Sequence, residues 1–205
     1  MNAFEQALLK YFGEEKLKKI QSVRVGIAGL GGLGSNCACN LARSGFRSFV
    51  LGDFDKVELS NLNRQFYFLD QIGMPKAKAL KENLLRINSD LEIVHFEEKI
   101  ERSNALNLFS QCDCLVEAFD KAEYKKMLVE VFLNSKKLLV SASGLAGWGN
   151  SDCLRTKKIK DNFYLVGDNC SAAAPGRPPC APRVAIAAAK EADVILDWAL
   201  NRKNG

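Results

Sequence analysis

Several things are scarce in this sequence, and each shortage excludes a class of protein. No stretch approaches the roughly 18 consecutive apolar residues that a membrane helix needs. Met1 to Gln21 alternates charged and apolar residues and holds no arginine. Neither a membrane span nor a secretory signal is expected there. Histidine occurs once, as His95, in a strand-like stretch where a structural role is expected. The seven cysteines contain no C-x-x-C; the close pairs are Cys37-x-Cys39 and Cys112-x-Cys114, both read as lying within regular elements. A single intervening residue is poor spacing for tetrahedral zinc, so zinc is not expected and these four read as core thiols. An odd cysteine number without a secretion signal points to reduced thiols in a soluble, cytoplasmic protein.

What is present is ordinary globular composition, 47% hydrophobic and 26% charged over 205 residues. That length suits one well-buried α/β domain with an appendage and is short for two. The net charge of +5 suits anionic ligands. The cations are dispersed along the chain rather than gathered into one stripe, so no nucleic-acid partner is expected.

Along the chain, Phe4, Leu8, Leu9 and Phe12 mark one or two amphipathic helices over 1–20. Val23 to Ala28 reads as a strand, and Leu33, Cys37, Ala38 and Leu41 as a helix stopping near Gly45. A second strand, Ser48 to Leu51, ends at Gly52-Asp53. The alternation continues with a helix through Ala77 to Ile87, a strand at Leu91 to Phe96 and a short helix at Ala105 to Ser110. A strand at Cys114 to Ala118, a helix at Tyr124 to Asn134 and a strand at Leu138 to Ser141 follow. Strands separated by helices imply a doubly wound, Rossmann-like, mostly parallel sheet with helices on both faces. The expected organisation is a single domain: an N-terminal helical arm over 1–20, a nucleotide-binding core over 21–145, a polar hairpin and loop over 146–182, and a closing helix over 183–205. The loop Asn169 to Pro182 holds four of the five prolines.

Chemistry enters at Gly29-Leu30-Gly31-Gly32-Leu33-Gly34, a G-x-G-x-x-G between a strand and a helix. Gly29 permits the tight turn, Gly31 lets backbone approach a phosphate, and Gly34 lets helix and strand pack closely. The helix N-terminus presents free amides to anionic oxygens. Asp53, at the end of the second strand, stands where an acidic residue accepts hydrogen bonds from ribose hydroxyls. NAD and ATP remain equally possible to this point. The next segment, Asp53 to Gln65, adds Asp55, Ser60, Asn61, Arg64 and Gln65, and Met74-Pro75-Lys76 follows. A dehydrogenase has no need of an arginine and a lysine here, whereas attack at an α-phosphorus builds charge that they would neutralise.

The glycine turn, the D-x-D…S-N-L-x-R-Q stretch and Pro75-Lys76 together resemble the ThiF/MoeB/HesA family, bacterial relatives of ubiquitin-activating enzymes, and most of all its compact, zinc-less ThiF form. The resemblance covers about residues 21–145, and the closing helix from Pro182 also matches. It implies that Gly29, Gly31, Gly32 and Gly34 cradle ATP and that Asp53 binds its ribose. Asn61, Arg64 and Lys76 would hold the phosphates, with Asp55, Ser60 and Gln65 beside them. Asp120 would help bind Mg2+, with Lys121 next to it; read from the residues alone, Asp120 serves equally well as a helix N-cap. The implied partner is a small ubiquitin-like sulfur-carrier protein ending in Gly-Gly, whose carboxylate, already ionised at neutral pH, attacks the α-phosphorus without a base. A homodimer is also implied.

Two positions depart from the pattern or are optional within it. The family often carries an N-terminal arginine that reaches the partner's ATP; only Lys10, Lys16, Lys18 and Lys19 are available here. Some members use a loop cysteine that bonds the carrier. Cys170 and Cys180 occupy the comparable loop, where Arg177 and Arg183 are expected to lower a thiol pKa. Two further readings stay open: a noncatalytic nucleotide-binding scaffold for a carrier, and an NAD-dependent oxidoreductase supported only by the glycines and Asp53.

Overall fold

A computed structural model describes residues 1–202; Lys203, Asn204 and Gly205, the end of the expected closing segment, lie outside the described residues. Helix α1 (Ala3–Gln21) is capped by the Asn2 side chain, which accepts from the Glu5 N–H. Gly13, at φ 74°, kinks it, so one helix or two are equally fair descriptions. Of the four apolar residues expected on its buried face, Leu8 is buried while Phe4, Leu9 and Phe12 are half-buried; Leu17 and Ile20 complete its contact.

The core is a seven-stranded sheet in the order β3-β2-β1-β4-β5-β7-β6. Its strands are β1 (Arg24–Ala28), β2 (Ser48–Gly52), β3 (Glu92–Phe96), β4 (Cys114–Glu117), β5 (Leu138–Ala142), β6 (Arg155–Lys160) and β7 (Phe163–Gly167). All neighbours run parallel except β6 against β7. In register, Gly26 faces Val50 on one side and Leu115 on the other. The central strands β1, β4 and β5 are buried on both faces, as a sheet covered on both sides requires.

Helices α2 (Gly32–Arg43), α3 (Lys76–Leu85) and α6 (Ala181–Asn201) bury Cys37, Leu41, Leu80, Ala188 and Ile195 against one face. Helices α4 (Ala105–Leu108) and α5 (Ala122–Phe132) bury Leu128 and Phe132 against the other, around Phe109. The expected hairpin forms as β6 and β7, but β7 also pairs in parallel with β5 and so extends the sheet. Chain order runs one way from β1 through β2 to β3 and the other way through β4 and β5. Between the carboxyl ends of β1 and β4 lies the topological switch point where such sheets bind ligands. None of the described helices is long and apolar enough to cross a membrane.

Candidate functional site

The glycine turn occupies the switch point. Gly29 adopts φ 90°, which side chains disfavour, and a Cβ there would stand 2.9 Å from the Ala118 carbonyl oxygen. At Gly34 a Cβ would fall 1.9 Å from the Gly29 carbonyl oxygen, so α2 packs against β1 at a distance only glycine permits. Gly31, the N-cap of α2, is different: the nearest atom to a Cβ there is Gln65 Nε2 at the ordinary contact distance of 3.8 Å, so packing does not close the turn at this residue. Gly32 opens α2, whose first-turn amides have no intrahelical acceptor.

Asp53 binds the turn from the end of β2. Its Oδ2 accepts from the Leu30 N–H at 2.6 Å and its Oδ1 from the Asp55 N–H at 2.8 Å. Burial raises its pKa, against the lowering pull of Lys76 and of these two amides. Beyond it, Lys76 at the start of α3 is buried, with Nζ 2.9 Å from Asp55 Oδ2. Tyr67, which sequence reading passes over, ties these parts together. Its buried hydroxyl donates to the Leu30 carbonyl at 2.7 Å and lies 3.4 Å from that of Lys76.

The segment carrying Arg64 and Gln65 is sewn to α2. Asn36 Nδ2 donates to the Arg64 carbonyl at 2.9 Å, and Ser35 Oγ accepts from the Phe66 N–H at 3.0 Å. Asn61 Oδ1 accepts from the Glu58 N–H at 3.1 Å, while the exposed Ser60 directs its hydroxyl to Glu58. The Arg64 guanidinium rests on Asn63 Oδ1 and the Ser60 carbonyl. Gln65 is buried against the turn, and its Oε1 has no hydrogen-bond partner. The structure thus brings the glycines, Asp53, Asp55, Asn61, Arg64, Gln65 and Lys76 to one place.

Asp120 reaches the same edge from the other side, because Ala118 and Phe119 abut Gly29. It is exposed and makes no hydrogen bond among the described residues, and the N-cap of α5 is Lys121, without a side-chain cap bond. The N-cap reading of Asp120 is therefore corrected: its carboxylate is free. Lys121 Nζ lies over the Tyr124 ring, 5.8 Å from its centroid. Among the described residues no group of three or more His, Cys, Asp or Glu can hold a metal. One free carboxylate nonetheless fits Mg2+, which takes most of its ligands from phosphates and water.

Sequence reading also missed Glu117, three residues earlier. It is fully buried, accepts from Lys125 Nζ at 3.1 Å, from the Phe119 N–H at 2.8 Å and from Ser141 Oγ, and so fixes the loop that presents Asp120. An acidic residue at the end of a strand is a weak signal; its lysine and serine partners lie 8 and 24 positions away.

The cysteine expectation needs correction. Arg183 is buried and committed: Nη2 pairs with Asp168 at 2.7 Å, and Nη1 donates to the Gly149 carbonyl at 3.0 Å and contacts Cys153 Sγ at 3.6 Å. Cys170 is exposed, but its thiol hydrogen-bonds to Asp168, which raises its pKa, as do its slight burial and the charge of Asp168; Arg177 opposes this only weakly. The arginines do not activate it. Cys180, the N-cap of α6, is half-buried beside the Pro178 carbonyl. Cys37 and Cys114 are core thiols raised well above their ordinary pKa by burial, and Cys112 sits in the turn before β4 rather than inside a strand. In α1, Lys18 and Lys19 pair with Glu14 and Glu15, leaving Lys10 and Lys16 as the arm's cations outside ion pairs among the described residues.

With this geometry fixed, comparison with known proteins finds that the ThiF family model matches residues 4–182. The SUMO-activating enzyme subunit 2 of Dictyostelium discoideum is 29% identical over 163 residues, 74% of this chain and 24% of that protein. The adenylyltransferase and sulfurtransferase MOCS3 of Danio rerio is 33% identical over 146 residues, 71% of this chain and 32% of that one. The chain thus spans about a quarter to a third of the length of these curated relatives. Among solved structures, the E. coli tRNA N6-threonylcarbamoyladenosine dehydratase TcdA superposes with TM-score 0.85 at 21% identity, covering 95% of this chain and 92% of that one. A complex of the same enzyme with ATP superposes at 0.80 and 22% identity.

Proposed function

The chain belongs to the ThiF family, and from that premise we propose that it is an ATP-dependent adenylyltransferase acting on the C-terminal carboxylate of a small ubiquitin-like sulfur-carrier protein. The observation that carries this reading is the convergence of Arg64, buried Lys76 and the glycine turn at the switch point. The relatives named as adenylyltransferase and as SUMO-activating enzyme support the same class of chemistry.

In this reading the free amides of α2 and the backbone at Gly31 take the phosphates, and Asp53, already oriented by two backbone amides, accepts from the ribose hydroxyls. Gln65, whose Nε2 lies beside Gly31, supports the residues that hold the phosphates. Lys76, poised on Asp55, and Arg64 neutralise charge growing on the nonbridging oxygens and on departing pyrophosphate. Mg2+ held at Asp120 would supply further neutralisation of the phosphates. The carrier's terminal carboxylate attacks the α-phosphorus in line, the bond to pyrophosphate breaks, and an acyl-adenylate forms; the attacking group is already ionised, so positioning suffices.

We assign the carrier to the ThiS-like class of thiazole biosynthesis, because the glycine turn and S-N-L-x-R-Q stretch occur here with no C-x-x-C pair among the seven cysteines. A homodimer and a cytoplasmic location belong to the same reading. The test is ATP–pyrophosphate exchange with Mg2+ and a carrier, with and without its Gly-Gly tail. Exchange should require the tail and fall by 2–3 orders of magnitude in Arg64→Ala, the scale expected for removing one charge-stabilising group. Tight ATP binding without exchange for any carrier would replace this reading with the scaffold.

A further inference from the structure

One margin of the sheet has no cover. Strand β6 ends the sheet and, among the described residues, pairs only with β7; all six of its residues are exposed. Its outer backbone edge is free to accept another strand. Four of the six side chains are cations, Arg155, Lys157, Lys158 and Lys160, which corrects the expectation that cations are dispersed throughout. Lys158 pairs with Asp161 at 3.0 Å and Lys160 reaches Asn134 at 3.4 Å. Arg155 and Lys157 have neither ion pair nor side-chain hydrogen bond among the described residues. Charged side chains on an edge strand keep it from pairing with its own copies; four cations in six residues equally favour a partner segment of opposite sign. A bulge between Lys158 and Lys160 interrupts the ladder, so the regular segment on offer is 155–158. Arg155 also shares a cavity of about 400 Å³ with Lys190 and Ile186 of α6 and with Asp152.

The loop leaving the carboxyl end of β5 stands between this margin and the switch point in the sheet order. Its backbone is pinned on both sides of Trp148: the Gly147 N–H donates to the Pro178 carbonyl at 2.9 Å, and Arg183 holds the Gly149 carbonyl. Trp148 itself is 68% exposed. A tryptophan presented on fixed backbone loses little freedom on contact and is the residue type most enriched at binding hot spots.

The geometry points to β6 and Trp148 as the docking surface of an acidic carrier protein, which adds an extended acidic segment along residues 155–158 while its tail crosses Trp148 toward the switch point. This assignment rests on the adenylyltransferase reading above and names the face its protein substrate uses. The free strand edge selects a polypeptide over a nucleic acid, which has no strand with which to complete it.

The experiment compares wild type with R155E/K157E and W148A, using a ubiquitin-like carrier ending in Gly-Gly. Both substitutions fall on uncovered surface, and equal melting temperatures confirm intact folding. In R155E/K157E the carrier concentration for half-maximal exchange should rise about tenfold or more, mainly through slower association, while ATP binding and the rate at saturating carrier stay unchanged. High salt should weaken the carrier's binding to wild type and barely alter the variant. In W148A the half-maximal concentration should rise through faster dissociation. Unchanged carrier dependence in both variants, with exchange intact, overturns the docking face and leaves the adenylation reading standing. Salt-dependent tRNA binding that R155E/K157E abolishes, with carrier dependence unchanged, assigns the edge to nucleic acid instead. ATP binding without exchange in wild type overturns the adenylation reading, and the docking face falls with it.

Discussion

Glu191 is a residue whose position costs the fold something. It lies on the face of α6 against α2 beside Cys37, is fully buried, and neither carboxyl oxygen has a hydrogen-bond partner among the described residues. Burial, helped by the charge of Glu117 and opposed by Lys125, pushes its pKa up to about 8. The folded protein therefore keeps a proton on Glu191 that the unfolded chain releases near pH 4.3. Between about pH 4.3 and about 8 the native state binds more protons at this site than the unfolded state, so stability contributed here falls as pH rises. Glu191→Gln keeps the shape and removes the titration. Urea unfolding at pH 5 and pH 8 should show wild type losing up to a few kcal/mol that the variant retains. Parallel pH slopes in the two proteins would mean that Glu191 is solvated or ionised. Residues of this kind are silent in sequence: the spacing of Ala188, Ala192 and Ile195 marks the buried face of α6, but nothing local says that Glu191 shares it. Gly29 and Asp53 stand out in the sequence because their spacing relative to a strand and a helix start is itself a signal, whereas Arg64 and Lys76 stand out only through the resemblance of their motif.

At the scale of elements, the last third of the chain was the hardest to read and the ion pair of Arg183 with Asp168 explains why. The hairpin and the closing helix are visible as patterns, yet what joins them is one buried contact between residues 15 apart, which no periodicity reports. Asp168 Oδ1 accepts from the Cys170 and Ser171 N–H groups at 2.9 and 2.7 Å, and Oδ2 takes the guanidinium. Burial alone would raise its pKa, but these donors hold it well below the ordinary carboxylate range. The same pair anchors the loop 144–150 through Gly149, so α6 positions the segment that flanks the switch point. Removing one partner leaves the other charge buried without compensation. Asp168→Ala is expected to cost about 3–5 kcal/mol in urea unfolding, far more than an exposed pair such as Lys18–Glu14 is worth. A loss below about 1 kcal/mol would show that the loop opens readily to water and that the pair does not hold it. That β7 would join the sheet was illegible for a related reason: its parallel pairing with β5 is decided by the long connection between them.

At the scale of the molecule, the question is whether the switch point is a ligand site or a well-packed turn. The fold was legible because strands and helices alternate from residue 24 to residue 142, and doubly wound sheets place their crevice where strand order reverses. What the whole structure adds is a difference between two glycines a few residues apart. At Gly34 the missing Cβ is required by packing, whereas at Gly31 a Cβ would meet only Gln65 Nε2, at the ordinary contact distance of 3.8 Å. Gly31→Val should therefore fold, because its Cβ meets nothing closer, but it should lose the nucleotide. With ATP at about 100 times its Kd, linkage stabilises the wild type by about 2.7 kcal/mol. For a domain of this size that raises Tm by roughly 5–10 °C. Gly31→Val should melt within a few degrees of the unliganded wild type and show no ATP-dependent rise. A full rise in the variant would place the nucleotide elsewhere on the sheet, and no rise in wild type would make the turn a packing device. A folded variant with a lost rise would tie nucleotide binding to one missing side chain at the reversal of strand order.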